Sequence, residues 1–125
     1  MANVFERVNI LAGRSSGSGM TRPQIRSVIS AAERVCGLNE GEILRERVGS
    51  SSPRVSRART IAVYLIRCES GFDYRRIKII FGLNSVSSVD TILCRARSRL
   101  RFGRKSYDAK FRVEVLQVRR QAGFE

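Results

Sequence analysis

Apolar residues at helical spacing, interrupted by short polar turns, divide residues 54–103 into three blocks. Side chains three and four positions apart share one face of an α-helix, so this spacing predicts a long helix, a short helix and a third helix. No segment of useful length alternates between polar and apolar residues, which is the pattern of a half-buried strand. The sequence therefore predicts an all-α fold.

Residues that start and stop helices recur along the chain from position 21. Thr21 and Gln24 have the spacing of a capping box, and Pro23 lies in the first turn, where its missing N–H is no loss. Glycines are expected to end three helices, at Gly37, Gly71 and Gly103. Together these signals predict a six-helix bundle whose helices begin at Thr21, Asn39, Ser56, Asp73, Ser85 and Asp108. The second helix is expected to reach Val48.

The helical spacing also predicts which side chains form the core. In the helix that follows Ser85, the inward stripe is expected to consist of Val86, Val89, Ile92, Leu93, Ala96 and Leu100. In the last helix, the residues expected to pack on the bundle are Phe111, Val115, Leu116 and Val118.

The length of 125 residues and a hydrophobic content of 42% fit one domain with a small core. We expect this domain to span residues 21–121. Residues 1–20 end in the Gly/Ser-rich stretch LAGRSSGSGM, which can bury little apolar surface, so this segment is expected to be flexible.

Positive charge is concentrated in one part of the chain. From Arg45 to Lys105, fifteen Lys and Arg residues stand against four Asp and Glu, so about +11 of the net charge of +13 lies there. This imbalance favours a polyanionic partner, with double-stranded DNA first, RNA second and an anionic membrane surface third. Solubility alone is a weaker explanation, because the charge is clustered.

The residue types exclude several classes of function. The chain has no His, which removes Ser/His triads, Cys/His dyads and the usual His-containing zinc sites, so no catalytic residue, metal or cofactor is expected. Cys36, Cys68 and Cys94 are odd in number and far apart, and are interpreted as small buried thiols in a reducing cytosol. No apolar run approaches the roughly 20 residues that span a bilayer, and no signal peptide pattern is present.

The helix after Ser85 has the composition of a DNA-reading helix. If Val89 and Leu93 face the core, small hydroxyl side chains and one arginine lie on the opposite face. Short side chains let a helix enter the major groove, where Ser and Thr can bond to phosphates or base edges. The residues expected to approach DNA are Ser85, Ser87, Ser88, Thr91 and Arg95. The alternative is that Ser87 and Ser88 only cap the helix.

Basic residues upstream of this helix are expected to hold the DNA backbone. On the short preceding helix, which contacts phosphates in a helix-turn-helix, these residues are Arg75, Arg76 and Lys78. At the start of the long helix, where an arginine can enter the minor groove or hold a phosphate, they are Arg54, Arg57 and Arg59. A second basic run extends from Arg95 to Lys105, and part of it is expected only to be solvated.

A family resemblance accompanies these patterns. The segment VSRARTIAVYLIRCESGFDYRRIKIIFGLNSVSSV resembles the C-terminal DNA-binding domain of the bacterial replication initiator DnaA, with the pattern V-x-R-x-R-Q-I-A-M-Y-L followed by L-x-x-I-G-x-x-F-G-G-R-D-H-T-T-V. The matching positions are Val55, Arg57, Arg59, Ile61, Ala62, Tyr64, Leu65, Ile77, Phe81, Gly82 and Val89. The resemblance covers roughly Gln24 to Val118 and implies a Trp-repressor-like helix-turn-helix.

The chain departs from the family pattern where bases are read. The family's R-D-H-T-T-V stands here as Asn84-Ser85-Val86-Ser87-Ser88-Val89, so Ser87 and Ser88 replace two Thr while the Asp and His have no counterpart. The family's minor-groove Arg aligns with Ser51, which leaves Arg54 or Arg47 to substitute for it. The Gly-rich Lys/Thr phosphate loop of the family's ATPase core is also missing, so ATP hydrolysis is not expected.

These features predict a small sequence-specific DNA-binding protein that regulates transcription or replication, of bacterial or phage origin, and not an enzyme. It would act in the cytoplasm, at the nucleoid. The alternative is an interaction protein, a decoy that binds the replication initiator or another host protein without specific DNA recognition. The target sequence, the sign of regulation and the oligomeric state are left open.

Overall fold

The computed structural model describes residues 20–46 and 52–124, and this part of the chain contains six helices. In chain order they are α1 (Arg22–Val35), α2 (Glu42–Arg45), α3 (Pro53–Ser70), α4 (Tyr74–Phe81), α5 (Val86–Leu100) and α6 (Ala109–Gln121). No strand occurs within those two ranges, so the predicted all-α class and the six helices are confirmed. The segment predicted to be flexible lies outside the described residues except for Met20, which is buried.

The long helix α3 is the centre of the fold and packs against each of the other five helices. Its Ile61 and Ile66 are fully buried together with Ile25 of α1, Leu93 of α5 and Phe111 of α6. Truncating a buried Phe to Ala typically costs about 3–5 kcal/mol, so Phe111 is a main reason why α6 stays on the bundle.

Local side-chain chemistry sets most of the helix starts as predicted. The backbone N–H of Thr21 donates to the Gln24 side chain at 2.8 Å, and both halves of the capping box are present. Asp73, Ser85 and Asp108 each accept a backbone N–H three residues ahead, and so cap α4, α5 and α6. Each cap satisfies a donor that has no partner within its helix.

Four predicted helix boundaries are wrong. The N-cap of α3 is Ser52 and not Ser56, because the Ser52 hydroxyl accepts the Val55 N–H at 3.2 Å and Pro53 suits the first helical position. Helix α2 begins at Glu42 after its N-cap Gly41, and not at Asn39. It ends at Arg45, short of Val48, which itself lies outside the described residues. Helix α5 ends at Leu100 rather than running on to Gly103.

Several predicted burials are also wrong. Cys68 and Cys94 are exposed and Cys36 is half-buried, so the interpretation of three buried thiols fails. Val86 and Leu116 were predicted to face the core, but they are exposed at 43% and 54%. The buried face of each of these two helices is narrower than its run of apolar residues suggests. In α5 the buried positions are Val89, Ile92, Leu93 and Ala96.

No single helix in the described part of the chain is long and apolar enough to cross a membrane. The pair α4 and α5 passes a test of length and composition only when its two helices are joined across a sharp bend.

Candidate nucleic-acid interface

The bend between α4 and α5 measures 95° and is made by four residues, 82–85. Gly82 has a φ of +64°, a left-handed conformation that costs glycine little. Its successor Leu83 is 5% exposed, and the Leu83 N–H donates to the Lys78 carbonyl at 2.9 Å. The turn is therefore fixed by a backbone hydrogen bond and by a buried side chain.

The start of α5 presents hydroxyl groups outward. The Ser85 hydroxyl accepts the Ser88 N–H at 3.2 Å and lies 3.2 Å from the Ser88 hydroxyl. Ser87 is exposed, and its carbonyl accepts a bond of 3.0 Å from the Thr91 hydroxyl. Because Val89 is fully buried beneath this surface, the orientation of the hydroxyls is set by the packing of α5.

The structure places the α5 serines in two different environments. Ser85 and Ser88 bond to each other at the helix start, and Ser88 is half-buried. Ser87, Thr91 and Arg95 lie exposed on successive turns of the face opposite the core. The N–H groups at this helix end also carry partial positive charge, which favours a phosphate nearby.

The basic residues of α4 differ in how freely they reach solvent. Arg75 is exposed, whereas Arg76 and Lys78 are half-buried. The guanidinium carbon of Arg76 lies 5.3 Å from the centroid of the buried Phe72 ring, a cation–π contact that orients it. The short helix therefore carries one positioned cation, Arg76, and one exposed cation, Arg75.

A further arginine holds the corner at which α4 begins. Nη1 of Arg67 donates to the carbonyls of Gly71 and Phe72, at 3.2 Å and 2.6 Å, and its guanidinium lies over the Tyr74 ring. These contacts connect the end of α3 to the first turn of α4. They fix the direction of α4 relative to α3.

The three predicted arginines of α3 have separate environments. Arg54 is exposed and lines an open cleft of about 700 Å³ with Lys110 and Arg99. Arg57 is half-buried and contacts two carboxylates, Asp108 and Glu114. Only Arg54 of the three therefore presents its charge to solvent in the way that the sequence prediction requires.

Arg57 is a structural residue of the α3–α6 contact. Its Nε donates to Glu114, its Nη1 donates to Asp108 at 3.1 Å, and its guanidinium lies over the Phe111 ring. Burial alone would lower the pKa of Arg57, but the two carboxylates outweigh burial and raise it. The guanidinium therefore stays charged, and its charge is already paired with two carboxylates of the protein.

Arg59 requires a correction to the predicted contact residues. Its side chain is buried at 3% exposure, and Nη2 donates to the Glu46 carbonyl at 2.8 Å. Burial lowers the pKa of Arg59 below its ordinary value. Because this guanidinium faces the interior, we remove Arg59 from the surface that could meet DNA.

The structure adds residues to the outer face of α5 that sequence reasoning missed. Cys94 and Asp90 are exposed there, and the Cys94 thiol lies 3.9 Å from an Asp90 oxygen. Cys94 lies three positions after Thr91 and seven after Ser87, so helical spacing places all three on one face of α5. This spacing is the sequence signal that could have predicted its exposure. It was overlooked because cysteine was assigned to the core.

Comparisons with protein-family models, with curated proteins and with solved structures find no match to this chain.

Proposed function

We propose that this protein binds double-stranded DNA through α4 and α5, which act as a helix-turn-helix with α5 in the major groove. The observation that carries the proposal is the bend of 95° over the four residues from Gly82 to Ser85. Helix-turn-helix motifs join two helices at about 90–120° through a turn of three or four residues that often contains glycine. The resemblance to the DNA-binding domain of the replication initiator supports the same arrangement.

The shape of α5 supports its role as the reading helix. An α-helix with its side chains is about 10–12 Å across, close to the width of the major groove of about 12 Å. Ser87 and Thr91 are short enough to leave the helix slender on its exposed face. Arg95, one turn further on, is long enough to reach a guanine edge or a phosphate.

The cations of α4 support a clamp on the phosphate backbone. In such motifs the first helix crosses the backbone while the second enters the groove. Arg75, Arg76 and Lys78 supply three positive charges on this helix against one carboxylate, Asp73, at its cap. The proposed interface therefore comprises these three residues with Ser85, Ser87, Ser88, Thr91 and Arg95.

Within this proposal the protein is a small regulator of transcription or replication with a Trp-repressor-like domain. The test is a selection of bound sequences from random duplexes, followed by fluorescence anisotropy titrations of the selected duplex at several salt concentrations. We expect a defined motif, and log K falling with log salt at a slope of about −5 if five or six phosphates are neutralised. A slope near zero without an enriched motif would overturn the proposal and favour a protein partner instead.

A further inference from the structure

The connection between α5 and α6, residues 101–108, exposes an aromatic ring among basic residues. Phe102 is 80% exposed, well above the 54% of Leu116. Its ring makes an edge-on contact with Tyr107, with 5.3 Å between centroids and 71° between ring planes. The phenyl ring therefore contacts a neighbouring ring while most of its surface stays exposed.

A cleft of about 670 Å³ lies between the end of α5 and the connection, and Arg101 and Gly103, the chain neighbours of Phe102, both line it. Its polar and charged lining consists of Arg97, Arg101, Arg104, Lys105, Ser98 and Ser106. No carboxylate occurs among the described residues that line it. Four cations without a counter-charge make this cleft suitable for an anion.

The connection is held in place by its own hydrogen bonds. The Ser106 hydroxyl donates to the Ser98 carbonyl at 3.2 Å, and the Asp108 N–H donates to the Arg99 carbonyl at 2.8 Å. Gly103 adopts a φ of +88°, which turns the chain back directly after Phe102. The ring and the cations are thus presented together by an ordered loop rather than scattered along an extended segment.

We infer that this loop is a binding site for a single strand of nucleic acid, separate from the serines and Thr91 that the proposed function assigns to the duplex. An unpaired base stacks on Phe102, and the phosphates that flank it lie in the cleft of Arg97, Arg101 and Arg104. Single-strand sites combine a basic groove with an aromatic platform in this way. A duplex suits the ring less well, because its bases are already stacked on one another.

The experiment measures fluorescence anisotropy of three labelled probes: a thymidine 12-mer, an abasic strand of equal charge, and a duplex. The abasic strand separates stacking from charge alone, which any protein of net charge +13 would provide. We expect the parent to bind the thymidine strand more tightly than the abasic strand. Equal affinity for the two strands would overturn the inference.

Variants locate the effect. Phe102→Ala should weaken binding of the thymidine strand by about 5- to 150-fold, the equivalent of one stacked base, and leave the abasic strand and the duplex unchanged. Val113→Ala, a truncation at another exposed apolar side chain of 52% exposure, is the matched control and should change none of the three. Phe102→Tyr should restore strand binding.

The outcomes distinguish this inference from the proposed function. Loss of strand binding in Phe102→Ala with duplex binding intact supports the inference whether or not α5 reads DNA. Equal losses for strand and duplex would place Phe102 in the duplex interface and overturn the inference. Unchanged strand binding would overturn it as well.

Discussion

Nη1 of Arg57 in α3 lies 3.1 Å from Oδ2 of Asp108, the residue that begins α6. The other oxygen of the same carboxylate, Oδ1, accepts the Phe111 N–H at 2.9 Å. One carboxylate therefore caps α6 and connects it to the central helix. An arginine that the sequence assigns to DNA is committed to the fold.

Replacing Arg57 by Ala should destabilise the protein by about 1–3 kcal/mol, because Asp108 and Glu114 lose the partner that compensates their burial. Urea unfolding followed by circular dichroism measures the change. The matched control is Arg54→Ala, three residues earlier and exposed, for which a change within about 0.5 kcal/mol is expected. Equal unfolding midpoints for Arg57→Ala and the parent would contradict the assignment.

Asp108 should contribute a pH-dependent part of the stability. The bond from the Phe111 N–H, followed by the contact with Arg57, lowers the pKa of Asp108 below its ordinary value. Its stabilisation is therefore present above the ordinary pKa, about 4, and is lost as pH falls through the lower folded-state pKa. Asp108→Asn keeps a good N-cap but loses the charge, so its stability should fall less between pH 4 and pH 2.

The expected difference in stability between the parent and Asp108→Asn is small. Because the Asp108 side chain is 32% exposed, solvent screens the pair with Arg57 and about 0.2–1 kcal/mol is expected. Denaturant titrations at pH 7, 4 and 2 compare the two proteins. Parallel pH profiles would show that Asp108 acts only as a cap.

The helix starts were predictable because capping is a local property. Thr21, Asp73, Ser85 and Asp108 each bond to a backbone N–H three residues away, which the sequence displays directly. The start of α3 was misplaced because Ser52 and Ser56 both suit a cap, and the decision rests on the proline between them. The proline suits the first helical position after Ser52, so this signal was also present in the sequence.

The fate of the α3 arginines was not predictable from local sequence. Arg57 finds its partners 51 and 57 positions away in α6, and only the packing of the bundle brings them together. Arg59 is turned inward onto the carbonyl of Glu46 for the same reason. The exposed face of α5 was easier, since helical periodicity alone places Ser87 opposite Val89.

A charge reversal on α4 should weaken duplex binding more than the same reversal elsewhere. Arg75→Glu and Arg120→Glu both lower the net charge by two, and both residues are exposed. If α4 holds the backbone, Arg75→Glu should reduce duplex affinity at least tenfold, as a lost phosphate contact plus repulsion requires. Fluorescence anisotropy at a fixed salt concentration gives the duplex affinity of both variants. Similar losses of affinity in the two variants would contradict a specific role of α4.

The exposed cysteines provide a footprint of the proposed interface. Cys94 lies on the outer face of α5 and Cys68 lies on α3, and both are exposed. Excess duplex should slow maleimide labelling of Cys94 and leave that of Cys68 unchanged, as measured by mass spectrometry of peptides. Protection of both cysteines, or of neither, would contradict the assignment of α5 to the groove.

Cys36 should react slowly in the same assay. Burial, with a smaller effect of Glu114, raises the pKa of the Cys36 thiol to about 11. Since the thiolate is the reactive form, only roughly one thiol in a thousand is ionised at pH 8. Labelling of Cys36 should therefore rise about tenfold for each pH unit between 8 and 10, and a flat profile would contradict this.

The measurement that tests the central claim most directly is the duplex affinity of Ser87→Glu. This residue is exposed on α5, and an acid in the first turn of a helix is favourable, so the melting temperature should not fall. In the major groove the new carboxylate should lower affinity by about tenfold or more, the value of one lost base contact, while Gln117→Glu on α6 stays close to the parent. A folded Ser87→Glu protein that binds duplex DNA as tightly as the parent would contradict the account.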